Sequence, residues 1–174
     1  ITIQLANKLA KLRIIATASR PETEKWCRSL GAHHVINHQK DIPKQLQQIG
    51  SEFVDYALIF NDTDKNYPST AKVIAPQGKI CSIVENQLPL DLEALKYKSV
   101  SFHWEFMFTR SIFKTADMIE QHNLLNRIAD LIDSGIIKST VNKIMTPINI
   151  ENLREAHHIL EQGRTIGKVV LKDW

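Results

Sequence analysis

Segments typical of β-strands alternate with segments typical of α-helices through the first half of the chain, and this alternation constrains the fold more than any other feature. The strand segments are short apolar runs at residues 13–18, 33–37, 53–60 and 79–84. Strands separated by helices pair in parallel, because the helices supply the long crossovers that parallel pairing needs. We therefore expect an α/β fold with a doubly wound parallel sheet.

The helices between these strands have recognisable ends. Pro21 suits the first turn of a helix, Glu22 and Glu24 suit its positive end, and Gly31 suits its C-terminal cap. A polar helix is expected over residues 41–49. These signals place a crossover helix after each of the first two strands.

Two segments of this half carry more detailed expectations. Residues 53–60 are almost all apolar, as in a strand that is covered on both faces. The tripeptide Pro76-Gln77-Gly78 is expected to break a helix that passes through Ala71 and Ile74, just before the strand at 79–84.

The second half of the chain begins with a different pattern. Residues 99–108 alternate strictly between apolar and polar side chains, which is typical of a strand with one buried face. The apolar face carries Val100, Phe102, Trp104, Phe106 and Phe108. The sequence then predicts a helix over 115–134, an extended segment over 141–147, a helix over 150–161 and a strand over 167–171.

Composition excludes several classes of function. Of the 174 residues, 43% are hydrophobic, 24% are charged, and the net charge is +3 without any basic run, so no nucleic-acid surface is expected. No apolar stretch approaches the roughly 20 residues of a membrane span. Cys27 and Cys81 stand alone in apolar patterns, which suits a reducing compartment and predicts a cytoplasmic protein.

The seven histidines do not suggest a metal site. His33 and His34 point to opposite faces of a predicted strand, and His157 and His158 diverge by about 100° on a predicted helix. No cysteine or carboxylate completes a tetrahedral set, so no zinc is expected in this chain. No nucleophile motif occurs either, and we assign no catalytic residue.

Three segments resemble the medium-chain dehydrogenase/reductase superfamily. They are the run from Ala18-Ser19-Arg20-Pro21 to Val35-Ile36-Asn37, the turn Pro76-Gln77-Gly78-Lys79-Ile80, and the closing Leu160-Glu161-Gln162-Gly163-Arg164 with Gly167-Lys168-Val169-Val170-Leu171. The resemblance spans essentially the whole chain. Its nearest branch is that of the zinc-type alcohol dehydrogenase-like proteins, close to the quinone oxidoreductases.

The resemblance implies a Rossmann-like domain with the strand order 3-2-1-4-5-6 and a glycine-rich turn before its first helix. Residues 1–10 read as that helix, so the first strand and the glycine-rich turn are expected to be missing, as is the catalytic domain that precedes them in the family. Residues 1–146 are assigned to a partial NAD(P)-binding domain, and residues 147–174 to a helix and strand that lead back to the catalytic domain. The chain alone is expected to be inactive.

The first strand of this order would lie between the strands at 13–18 and 53–60. Without it, backbone groups deep in the sheet lose their partners, which is costly. We expect one of three outcomes: another segment fills the gap, the sheet splits into two pieces, or the strand belongs to residues outside this sequence.

The end of the strand at 13–18 bears on the choice of cofactor. In the family, an acidic residue there would bind the ribose 2′-hydroxyl of NADH, but this sequence has Ser19 and Arg20. A guanidinium and a hydroxyl suit a 2′-phosphate, so NADPH is favoured over NADH. The alternative is a capping serine beside a solvated arginine.

The resemblance also places residues beside the nicotinamide and its ribose. These are Asn61 and Thr63, after the strand at 53–60, and Ile83 and Val84, at the end of the strand at 79–84. Ligands of such sheets bind outside the carboxyl ends of the strands. The alternative for each residue is an ordinary loop or core position.

The superfamily often joins two nucleotide-binding domains through edge strands, so a homodimer through Val100–Phe108 is expected. Burial of that strand under the chain's own helices is the alternative.

The resemblance implies the cofactor-binding part of an oxidoreductase that transfers hydride from NADPH to a small carbonyl, enone or quinone. A non-catalytic Rossmann-like binding or interaction module is the alternative, and a methyltransferase fits less well because Ser19-Arg20 replaces the usual acidic residue.

Overall fold

The structure is a computed structural model that describes all 174 residues. Its elements, in chain order, are α1 (Thr2–Lys8), β1 (Ile15–Thr17), α2 (Pro21–Ser29), β2 (His34–Ile36), α3 (Ile42–Gln48), β3 (Val54–Ile59), α4 (Thr63–Val73), β4 (Ile74–Ser82), α5 (Glu93–Lys96), β5 (Ser101–Trp104), α6 (Thr109–Phe113), α7 (Ile119–Asp133), β6 (Val141–Met145), α8 (Ile150–Glu161) and β7 (Lys168–Leu171). No helix among them is long and apolar enough to cross a membrane.

The strands form three separate sheets, with the orders β1–β2, β3–β4–β5 and β6–β7. The pairs β3–β4, β4–β5 and β6–β7 are parallel, which confirms the α/β class predicted from the alternation. β1 and β3 belong to different sheets, so the sheet expected to contain both is divided in this structure. β3 is therefore an edge strand with β4 as its one neighbour. That the first strand belongs to residues outside this sequence stays a prediction.

The chain divides into two compact units, one of residues 1–35 with 126–174 and one of residues 36–125. In the first unit, Gln4 is almost fully buried and its amide acts as a clamp. Its Nε2 donates to the carbonyl of Lys138 at 2.8 Å, and its Oε1 accepts from the Lys138 N–H at 2.7 Å. A buried amide that satisfies both its donor and its acceptor in this way costs little and fixes α1 against the segment before β6.

The closing part of this unit matches the sequence expectations. β6, α8 and β7 lie where the periodicity predicts an extended segment, a helix and a strand. Asn149 caps α8 by accepting a hydrogen bond from the Asn152 N–H at 2.8 Å. The β6–β7 pair joins residues on both sides of the expected boundary at residue 147, and that domain boundary stays a prediction.

The second unit has its core on one face of the β3–β4–β5 sheet. The buried cluster consists of Ile59, Tyr67, Ala71, Ile74, Ile80 and Leu95. Ile74 and Ile80 are completely buried, and the helices α4 and α5 supply Tyr67, Ala71 and Leu95. Burying these side chains is the main stabilisation that this unit has.

The opposite face of β3 is open, so the prediction that this strand is covered on both faces is wrong. The exposed fractions of Tyr56, Leu58 and Phe60 are 57%, 50% and 50%. Successive side chains of a strand point to opposite faces. The side chains on one face of β3 pack beneath α4 and α5, whereas no helix of the chain buries the side chains on the other face.

Pro76-Gln77-Gly78 does not separate α4 from a later strand, contrary to expectation. α4 ends at Val73 and β4 begins at Ile74, without a loop. The tripeptide instead forms a bulge inside β4: Val54 pairs with Ile74 and Tyr56 pairs with Lys79, so residues 75–78 stand opposite Asp55 alone. A bulge is one of the few places where a strand tolerates proline.

The strand predicted at 99–108 is much shorter than expected. β5 covers only Ser101–Trp104, and Phe106 and Phe108 are about half exposed rather than buried. The reason is the length of its neighbour: β4 ends at Ser82, which pairs with Trp104, and its last carbonyl accepts from the Glu105 N–H at 2.9 Å. Beyond Glu105 there is no parallel backbone to bond, and the chain turns into α6.

Two further differences concern helices. The short helices α5 and α6 were not predicted, and α7 begins at Ile119 rather than at residue 115. A helix of four or five residues carries too little periodicity to be read from sequence.

Lys98 ties the segment before β5 to the end of α4. Its ammonium group donates to the carbonyls of Ala71, Lys72 and Ile74 at 3.3, 2.8 and 3.0 Å, and it lies 5.0 Å from the centre of the Phe53 ring. The carbonyls at a helix C-terminus have no partners within the helix and carry partial negative charge. One cation thus satisfies the end of α4 at the point where β4 begins.

We expect the substitution Gly78→Ala to lower the free energy of unfolding by about 3 kcal/mol, a typical cost of overpacking a tight site. A Cβ atom at Gly78 would lie 2.8 Å from the Ala75 carbonyl oxygen and 3.0 Å from that of Asp55, and both belong to backbone that cannot yield. Urea denaturation would measure the loss.

Gly163→Ala is the matched control. Gly163 has a φ of +63° but nothing within 4 Å of the added atom, so only the left-handed conformation is penalised, by about 1 kcal/mol. Equal losses in the two variants would show that the close approach at Gly78 does not constrain the bulge.

Candidate functional site

The carboxyl ends of β3 and β4 lead into two loops, and these loops form the candidate site. The second loop is bonded to the first turn of α4, the helix that the first loop enters. The loop after β3 is residues 60–62, and the loop after β4 starts at Ile83. Parallel neighbouring strands end on the same side of a sheet, so their following loops meet there. Four of the residues predicted from sequence to border a cofactor lie here: Asn61, Thr63, Ile83 and Val84.

The first loop is held by the start of α4. Asp62 adopts the left-handed conformation with φ 43° and caps α4 by accepting from the Lys65 N–H at 3.1 Å. The Asn61 carbonyl accepts from the side-chain amide of Asn66 at 2.7 Å. The backbone at Asn61 and Asp62 is therefore fixed by residues of the helix that it enters.

The second loop is joined to α4 by two buried hydroxyl groups. Thr63 and Ser82 are both completely buried, and their hydroxyl oxygens lie 2.7 Å apart. The Thr63 hydroxyl also donates to the carbonyl of Val84 at 2.5 Å. The side chain of Thr63 is thus engaged within the protein, whereas that of Ile83 is 48% exposed at the surface of the same loop.

Asp64 holds the far end of the second loop. Its carboxylate accepts from the Gln87 N–H at 2.7 Å and from the Leu88 N–H at 3.1 Å. Hydrogen bonds to an ionised acceptor are stronger than those between neutral groups. Neither Ser82 nor Asp64 was singled out from the sequence, since a hydroxyl inside a strand and an acid early in a helix are ordinary features in a sequence.

Ser19 and Arg20 belong to the other unit and lie at the start of α2. Arg20 donates from its guanidinium to the Arg164 carbonyl at 3.1 Å, and it lies 3.4 Å from the carboxylate of Glu22. Both side chains of the ion pair are partly exposed, so the pair contributes little to stability. Arg20 is thus oriented by its neighbours yet accessible to a ligand.

A cleft of about 280 Å³ lies beside β5 in the second unit. Its lining includes Trp104, Phe106 and the ion pair of Arg110 with Asp117, whose Nε–Oδ2 distance is 3.0 Å. Hydrogen bonds from Thr115 and Arg110 lower the pKa of the Asp117 carboxyl below its ordinary value. Arg110 and Asp117 pair with each other, and the lining of the cleft combines two aromatic rings with polar side chains.

No three histidine, cysteine, aspartate or glutamate side chains of the chain come together in a way that could hold a metal ion. Two of the histidines have other uses: the His33 Nδ1 accepts from the Ile14 N–H at 3.0 Å, and the His34 Nε2 contacts the Arg13 guanidinium at 2.9 Å.

Cys27 and Cys81 are free thiols, and burial raises the pKa of each. A raised pKa keeps a thiol protonated and poorly nucleophilic.

Comparison with known proteins identifies the fold. A solved structure from Rhizobium etli CFN 42, provisionally assigned as a zinc-dependent alcohol dehydrogenase, superposes with a TM-score of 0.91 at 41% identity, over 100% of this chain and 51% of that one. The NADPH complex of Escherichia coli quinone oxidoreductase superposes with a TM-score of 0.76 at 23% identity, over 99% of this chain and 53% of that one. The fold is therefore the Rossmann-like α/β fold of such proteins, as the sequence predicts.

The family follows from the sequence comparisons. The profile of the family described as zinc-binding dehydrogenase matches residues 30–171. A zinc-type alcohol dehydrogenase-like protein of Staphylococcus aureus strain MSSA476 is 41% identical over 170 residues, which is 96% of this chain and 51% of the relative. The chain belongs to the zinc-binding dehydrogenase family, within the medium-chain dehydrogenase/reductase superfamily, which confirms the resemblance found in the sequence. It spans about half the length of the curated relatives it matches.

Proposed function

We propose that this chain is the cofactor-binding part of an NADPH-dependent oxidoreductase that transfers hydride to a small carbonyl, enone or quinone. The observation that carries the proposal is the pair of loops at the carboxyl ends of β3 and β4, both held by the first turn of α4, which lie where ligands of parallel α/β sheets bind. In such enzymes the cofactor performs the chemistry, and the protein binds and orients it. The organised backbone of these loops suits that task.

The nicotinamide end of the cofactor is assigned to the second unit. Ile83 offers an exposed apolar side chain for one face of the ring. The backbone at Val84 and Asn61 is held in place by Thr63 and Asn66, and this fixes the shape of the loops beside the ring. Thr63 acts here through its contacts with Ser82 and Val84, because its hydroxyl is already engaged. No residue of the chain is assigned to proton transfer.

The adenosine end is assigned to Ser19 and Arg20. A guanidinium binds phosphate through paired, charge-assisted hydrogen bonds. Arg20 would exchange its weak ion pair with Glu22, which is exposed to solvent, for the 2′-phosphate, while its other donors include the one bonded to the Arg164 carbonyl. This favours NADPH over NADH. The two free thiols, Cys27 and Cys81, support a cytoplasmic location for the protein.

A homodimer through the segment Val100–Phe108 completes the proposal. β5 is an edge strand of its sheet, and the exposed fractions of Trp104, Phe106 and Phe108 are 49%, 52% and 50%. Large aromatic side chains at an unpaired sheet edge favour association with another strand. We also propose that residues 147–174 belong with the catalytic domain, as in the family.

We expect the protein, as expressed from its own gene, to bind NADPH more tightly than NADH, and Arg20→Ala to abolish most of this preference. Losing a charged hydrogen-bonding partner weakens NADPH binding by roughly tenfold to a hundredfold, while NADH is unaffected. Fluorescence titration with both cofactors would measure this. Arg28→Ala is the control, because Arg28 lies on the same helix and pairs only with Glu24.

Equal affinity of the unsubstituted protein for NADPH and NADH would contradict the assignment of Arg20.

We propose that this chain oxidises NADPH in the presence of a quinone, an enone or a carbonyl compound when it is joined to the catalytic domain of the family, whereas the 174 residues alone are expected to be inactive. Loss of NADPH absorbance against a panel of the three classes would show the activity. Tight NADPH binding without turnover on any of them would favour the alternative, a non-catalytic binding module.

We expect light scattering to give twice the mass of one polypeptide, and Phe106→Lys to halve it, because a buried charge opposes association at the strand edge. Tyr97→Lys is the matched control: Tyr97 is 91% exposed and lies outside the proposed interface. A monomeric mass for the unsubstituted protein would refute the dimer.

A further inference from the structure

The hydrogen bonds between Thr63, Ser82 and Val84 form a directed ring. A hydroxyl group has one proton to donate, and the Thr63 proton points to the Val84 carbonyl, which can only accept. The contact of 2.7 Å between the two hydroxyls is then donated by Ser82. The Val84 N–H completes the ring with a longer contact of 3.5 Å to the Ser82 oxygen.

This ring fixes the two peptide groups that flank Val84, at the edge of the candidate site. Both hydroxyl groups are inaccessible to water, so each needs its partner within the protein, and no buried polar side-chain atom of the chain lacks one. The N–H and the C=O of Val84 are bonded to the same pair of side chains. Val84 therefore cannot rotate without leaving a buried hydroxyl unsatisfied.

The carboxylate of Asp64 fixes the other end of the same loop. It binds two successive backbone N–H groups, those of Gln87 and Leu88, and it adjoins Thr63 in the first turn of α4. Residues 84–88 are thus anchored at both ends to one turn of one helix. Ile83 precedes this anchored segment and stays exposed at its edge.

We infer that Ser82 and Asp64 are positioning residues for the nicotinamide end of the bound cofactor. They set the place of the two peptide groups that flank Val84 and of the Ile83 side chain, which the proposed function assigns to the nicotinamide ring. This inference rests on the proposed function. It concerns one end of the cofactor only, because neither residue belongs to the unit that holds Arg20.

The test compares two ligands on the protein as expressed from its own gene. NADPH has both ends of the cofactor, whereas adenosine 2′,5′-bisphosphate has the adenosine end alone. Ser82→Ala and Asp64→Asn are each expected to weaken NADPH binding roughly tenfold, the loss of about one well-formed hydrogen bond, and to change the affinity for the bisphosphate less than about twofold. A merely structural role would not separate the two ligands.

Three further variants complete the design. Ser69→Ala is the control, because the Ser69 hydroxyl lies on α4 and bonds only to the Asn66 carbonyl of its own helix. Thr63→Ser retains the hydroxyl of the ring and should lose less NADPH affinity than Thr63→Val, which should lose affinity as Ser82→Ala does. Asp64 lies at the partly exposed surface, so Asp64→Asn provides a folded variant even if a change at a buried hydroxyl prevents folding.

Unchanged NADPH affinity in both Ser82→Ala and Asp64→Asn would overturn the inference. Equal weakening of NADPH and the bisphosphate would overturn it as well, since that result indicates general loss of structure. Failure of the unsubstituted protein to bind NADPH would instead refute the proposed function on which the inference depends.

Discussion

Parallel pairing of β3, β4 and β5 is the constraint on which the second unit depends. Between two parallel strands, the chain must return to the end of the sheet at which the first strand began. The carboxyl ends of all three strands therefore lie at the same edge of the sheet, and each leads into a loop there. These loops have no neighbouring strand to satisfy their backbone groups. The side chains of Thr63, Ser82 and Asp64 satisfy them instead, so the need to complete the fold also organises the candidate site.

The same constraint explains the compactness of the turn between α4 and β4. The helix ends at Val73 and the strand begins at the next residue, so the carbonyls at the helix end have no loop to bond. Lys98 supplies the missing donors, and the bulge at residues 75–78 absorbs the difference in register with β3. Gly78 lies in the bulge where the backbones approach most closely.

Much of the fold was predictable from sequence because its elements carry strong periodicity. The helix at Ile150–Glu161 and the strands on either side lie where apolar spacing and capping residues place them. The extent of β5 was not predictable, because a strand ends where its neighbour's backbone ends, and that depends on Ser82 rather than on residues 99–108. The exposed face of β3 could not be predicted either, since an apolar strand has the same kind of sequence whether or not a helix covers that face.

The candidate site was predictable in its location but not in its construction. The carboxyl ends of the strands identify Asn61, Thr63, Ile83 and Val84, yet nothing in the sequence distinguishes an engaged hydroxyl from a free one. Pairing across 19 residues, as between Thr63 and Ser82, leaves no local pattern. The contact of Arg20 with the Arg164 carbonyl spans 144 residues and is equally invisible in sequence.

The open face of β3 has a consequence for the colloidal behaviour of this polypeptide. Tyr56, Leu58 and Phe60 are at least half exposed on a strand whose outer edge has no partner, and such an edge is a template for adding further strands. The exposed carboxylate of Asp55, near the start of the same strand, opposes pairing of identical copies in register because it brings like charges together. Solubility of the isolated polypeptide therefore depends on ionic strength as well as on concentration, since salt screens that repulsion.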